Sequence, residues 1–64
     1  MKTIQLYFSA TKDREEQSRV FHKNQLVGYV RAVLISDCDI THATMKGRVH
    51  ARPGEQFVGA VAVE

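Results

Sequence analysis

Two groups of residues have the types and spacing that could do chemistry. The first is "LISDCDITHAT", residues 34–44, where an apolar run gives way to Asp37, Cys38, Asp39, Thr41 and His42. Paired carboxylates can serve as nucleophile and general acid, and a cysteine with a histidine can ligate a metal or form a nucleophilic pair. The second group lies in "THATMKGRVHAR", residues 41–52, where His42, Lys46, Arg48, His50 and Arg52 recur at even positions with no acid among them. A single-sign row of this kind suits an anionic polymer.

The first group resembles a known motif over a short span. An apolar strand followed by Asp37-x-Asp39-x-Thr41 resembles the first motif of the haloacid-dehalogenase phosphotransferases. That resemblance implies a nucleophile at Asp37 and a general acid at Asp39. The family also needs a lysine, a later acidic pair and a doubly wound sheet on a chain well over twice this length. The 23 residues after Thr41 read instead as strands. A polar turn accounts for Ser36, Asp37 and Asp39, because such side chains bond to nearby backbone groups. Cys38 and His42 would share a strand face, but a structural zinc site takes four ligands and Cys38 is the only cysteine. No metal or other cofactor is expected. A triad requires geometry that an inventory of Cys38, His22, His42 and His50 does not supply. A domain this small rarely encloses a substrate pocket, so no catalytic residue is assigned and the chain is read as a non-enzyme.

The basic row is the more specific signal. On a strand, alternate residues lie about 6.6–7 Å apart, close to the phosphate repeat of a nucleic-acid strand. Solvated outer faces usually mix both signs, whereas this one carries cations alone. The sequence therefore predicts a small nucleic-acid-binding module whose interface is His42, Lys46, Arg48, His50 and Arg52. Tyr7, Tyr29 and Phe57 are the aromatic candidates for base stacking. The alternative is a protein partner. In that reading the chain is a small inhibitor or adaptor that docks through an exposed strand edge, and "QFVGAVAVE", uncharged until Glu64, is the natural edge.

The elements that must position these residues read mainly as β. Residues 3–9 alternate, with Ile4, Leu6 and Phe8 on one side and Thr3, Gln5 and Tyr7 on the other, as in a half-buried strand. Residues 10–17 hold no large apolar residue and read as an exposed connection. Residues 18–35 form a hairpin about "HKNQ", where Asn24 tolerates the left-handed conformation of a tight turn. The return run is apolar on both faces, as a central strand would be, and Gly28 within it signals a bulge or a close backbone approach. Residues 41–52 alternate as a further strand, "RPGE" supplies a type II turn at Pro53 and Gly54, and the last strand follows. The expected fold is a small antiparallel sheet or barrel of about five short strands, formed by residues 1–64 as one domain. A short helix over 13–23 is the α+β alternative, supported by the capping spacing of Asp13 and Glu16.

Composition sets the remaining bounds. The 64 residues are 44% hydrophobic with one proline and a net charge of +2, which fits a folded globule. Gln5 interrupts the first apolar run before it reaches signal-peptide length, and no stretch approaches a membrane span. With one thiol, the chain is expected to be soluble and cytoplasmic, with no membrane partner. A chain this short buries only about 60% of its unfolded surface, so its core is marginal. Without disulfides or metal, self-association is the remaining source of stability, and a homodimer is expected.

Overall fold

The computed structural model describes residues 2–12, 15–36 and 38–63. The protein is mainly β: one open sheet of four antiparallel strands with one short helix. The strands are β1 (Lys2–Ser9), β2 (Ser18–His22), β3 (Gln25–Ser36) and β4 (Glu55–Val63), and the helix α1 (Ile40–His50) lies between β3 and β4. The sheet order is β2-β3-β1-β4. It is therefore neither a meander nor a closed barrel. The first strand sits in the middle, with β3 and β4 antiparallel to it on either side.

That order explains the largest departure from the sequence reading. Since β3 and β4 both run against β1, they run parallel to each other. Parallel strands need a crossover, usually a helix. Residues 40–50 supply it, so the expected strand over 41–52 is a helix followed by a short loop. The alternative helix over 13–23 is not formed either. Glu15 and Glu16 make a turn and Ser18–His22 is β2; Asp13 and Arg14 lie outside the described residues.

The hairpin forms as expected. Lys23 and Asn24 both have positive φ, 51° and 64°. This is the pattern of a two-residue turn whose twist matches that of the flanking strands. Gly28 meets both of its expectations. The β2–β3 register shifts between Val20 and Phe21, beside it, and a Cβ at Gly28 would lie 2.7 Å from the Ser9 carbonyl oxygen. Gly54 has φ of 82°, and the Glu55 amide donates to the Arg52 carbonyl at 2.9 Å, closing the "RPGE" turn. The run of residues 26–35 is an interior strand, and β4 is an edge.

The sheet is covered on its polar side. Thr3, Gln5, Tyr7 and Ser9 of β1 are buried, whereas Ile4, Leu6 and Phe8 are only half-buried. The buried polar groups satisfy one another. Tyr7 donates to Gln5 Oε1 at 2.8 Å, and Gln5 Nε2 donates to the Ala43 carbonyl of α1 at 2.9 Å. Thr3 donates its hydroxyl to the Cys38 carbonyl. Gln17, expected to be exposed, is buried and donates to Ser9 Oγ at 2.9 Å. No buried side-chain nitrogen or oxygen among the described residues lacks a partner. Such a network stabilises only when complete, so the strand's register and the helix position are fixed together.

Candidate nucleic-acid interface

The helix that carries the basic residues is held at both ends and in the middle. At its start Asp39 is the N-cap: its Oδ1 accepts from the His42 amide at 2.7 Å. Asp39 therefore does the local backbone work expected of it, as a helix cap and not as a turn between strands. Asp37 lies outside the described residues. In the middle, Ala43 and Gly47 are buried against the sheet, and a Cβ on Gly47 would meet the Phe57 ring at 2.0 Å. At the far end, Arg48 and His50 occupy the last turn, where cations complement the carbonyl end of the helix dipole.

Glu55 organises the loop that follows. Its Oε2 accepts from Arg31 Nε at 2.8 Å, and its Oε1 accepts from Arg31 Nη2 at 2.8 Å and from the Arg52 amide at 3.0 Å. The side chains of Arg31 and Glu55 are only 10% and 2% exposed, so this bidentate pair is buried. The Arg31 guanidinium lies 4.5 Å from the centroid of the Tyr7 ring, and Tyr7 meets Phe57 edge-on at 5.6 Å. The bond to Glu55 raises the Arg31 pKa above its ordinary value.

Burial raises the Tyr7 hydroxyl above its ordinary pKa of 10.0; Arg31 pulls it down and Glu55 pushes it up. The sign of the consequence is fixed. The fold holds Tyr7 protonated, so this contribution is complete below the unfolded value and is lost as pH rises past it, where the unfolded chain binds fewer protons. Urea unfolding midpoints should therefore fall as pH rises past about 10. In Tyr7→Phe the fall should be shallower, at a cost of about 1–3 kcal/mol at neutral pH for the orphaned Gln5 acceptor. An unchanged alkaline slope in that variant would place the titrating group elsewhere.

The five predicted interface residues are all exposed, but they do not form a single row. At 3.6 residues per turn, Lys46 and Arg48 are about 200° apart around the helix. His42, Lys46 and His50 succeed one another at intervals of four on one flank. Arg48 lies on the other, and Arg52 follows in the loop beyond the helix. Between the flanks stand Met45 and Val49, 63% and 78% exposed. On a strand these two would share one face with Ala43 and Gly47; in the helix only the small pair is buried. The available signal was Ala43, Gly47 and Ala51, small residues four apart, preceded by a capping aspartate. All three aromatic candidates are on the covered side of the sheet, but Tyr29, paired with Ser9 and Arg19, is on β3, whereas α1 packs on β1 and β4.

Cys38 is buried ahead of α1 and His42 is exposed in its first turn, so they do not lie on a common strand face. Among the described residues no three histidine, cysteine or acidic side chains gather as metal ligands, and no pocket opens. No helix is long and apolar enough to cross a membrane. Compared with protein-family models, curated proteins and solved structures, the chain finds no match.

Proposed function

We propose that this chain is a non-catalytic nucleic-acid-binding module that sets the outer surface of α1, with Arg52, against a duplex. One observation carries the reading: the exposed helix bears cations on both flanks, and the neighbouring acids among the described residues are turned to other tasks. Glu55 is buried on Arg31, and Asp39 caps the opposite end of the helix. The 11-residue helix is about 16 Å long and, with its side chains, about 10–12 Å across, which fits the roughly 12 Å width of a major groove. Its two flanks then face the two phosphate backbones, with Met45 and Val49 towards the base edges. The helical geometry favours duplex over the single strand suggested by an extended row.

Lys46, Arg48 and Arg52 neutralise about three phosphates, so log affinity against log salt should fall with a slope near −3. Anisotropy titrations of short duplex and single-stranded oligonucleotides at several salt concentrations measure it. Arg48→Glu should weaken binding more than Arg19→Glu, since Arg19 is exposed on β2, remote from the helix. If Lys46, Arg48 and Arg52 can all become alanine without loss, the surface is only solvated.

A second reading rests on β4. It is an edge strand, and residues 56–63 carry no charge. A small inhibitor or adaptor could accept a partner protein's extended segment there as a fifth strand. Such binding would survive salt that abolishes phosphate contacts, which separates the two readings in one titration.

A further inference from the structure

We infer that the uncovered face of the sheet is the interface with a second copy of this chain, packed face to face as a sandwich. The pairing register places Ile4, Leu6 and Phe8 of β1 beside Leu34, Ala32 and Val30 of β3, with Val61 of β4 opposite Ile4. Directly paired residues share a face, so these side chains form one apolar surface on the side away from α1. Leu34 and Val61 are 56% and 46% exposed.

Three observations commit the face to a second copy. First, the covered side of the central strand β1 is a polar network, and the only buried apolar residues among those described are Tyr7, Cys38 and Ala43. The chain's own fold leaves most of its strand hydrophobicity unburied, so the occupant must be present whenever the chain is folded. A second copy always is. Second, eight paired positions at about 3.4 Å and four strands at about 4.8 Å make a face of roughly 500 Å². Two such faces bring together about 1,000 Å², where specific interfaces begin. Third, Lys2, at one end of β1, is the only charged residue on that side of the β1, β3 and β4 pairing, so two copies meet without opposed rows of like charge. Two sheets stacked this way interdigitate at about 10 Å and leave both helices outward. The dimer therefore neither covers nor needs the basic surface, and each proposal can fail without the other.

Sedimentation equilibrium at micromolar concentration should give twice the 7.2 kDa chain mass. Leu34→Asp buries an unpaired carboxylate from each protomer and should raise the dissociation constant about 100-fold or more. Val49→Asp, on the outer surface of α1, should leave it unchanged. Where Leu34→Asp fails to fold, the unmodified protein still decides the matter. In a mixture of isotope-labelled and unlabelled chains, filtered NOEs should connect Leu34, Val61 and Ile4 methyls across copies. A 7.2 kDa monomer, or intermolecular NOEs at Met45 in place of these, would overturn the inference.

Discussion

Glu55→Gln should cost about 3–5 kcal/mol, the usual penalty for removing one partner of a buried ion pair. A chain of this length has a total stability of only about 3–10 kcal/mol, so the substitution removes roughly a third of it or more, and at the low end of that range leaves the chain largely unfolded at room temperature. The reason is geometric. Both carboxylate oxygens are used, one by Arg31 Nε and the other by Arg31 Nη2 and the Arg52 amide. Glutamine would turn an NH₂ group towards the guanidinium and leave a charge buried without its counter-ion. The double variant Arg31→Met/Glu55→Gln removes that orphaned charge and should be more stable than Glu55→Gln alone, a positive coupling that a double-mutant cycle reads directly. Urea unfolding followed by circular dichroism, at fixed protein concentration, measures all three. Additive losses would mean that the pair is solvated.

The second large effect is at Gly47. In an isolated helix, Gly→Ala would gain about 1 kcal/mol from propensity. Here the new methyl would sit 2.0 Å from Phe57 Cε1. The ring can give way only by leaving its edge-on contact with Tyr7, or by pushing α1 off the sheet. Gly47→Ala should therefore lose about 1–3 kcal/mol, as overpacked cores do, and Gly47→Val should lose more. Phe57→Leu in the same chain should restore part of the loss. Lifting the helix would also strain the Gln5 bond to the Ala43 carbonyl, so the basic surface would lose its fixed position along with stability. A rise in melting temperature for Gly47→Ala would show that the helix does not lie on Phe57.

Local chemistry was legible in the sequence wherever a few neighbouring residues decide it. The alternation of 3–9 gave a strand, Asn24 within "HKNQ" gave the hairpin turn, Pro53 and Gly54 gave the next, and Gly28 marked a bulge or a close backbone approach. Asp39 was readable as a residue that bonds its own backbone, and the exposure of His42, Lys46, Arg48, His50 and Arg52 followed from their polarity. These outcomes depend on dihedral preferences and hydrogen bonds within a turn.

The partner strands lay beyond that range. Residues 41–52 alternate well enough for a strand, and Gly47 with β-branched Thr41, Thr44 and Val49 argues against a helix. What decides the matter is that β3 and β4 flank β1 and run parallel, which demands a crossover, and that Ala43 and Gly47 let that crossover settle on Phe57. Rotation by about 100° per residue then split the basic row into two flanks and brought Met45 and Val49 to the surface. Tertiary structure also chose which face of β1 to cover. Period-two alternation gives two faces but does not say which is inward. The helix covers the one bearing Thr3, Gln5 and Tyr7, because their hydrogen bonds reach α1 and its cap segment and close a complete network. The opposite face keeps Ile4, Leu6 and Phe8, whose burial one chain cannot complete.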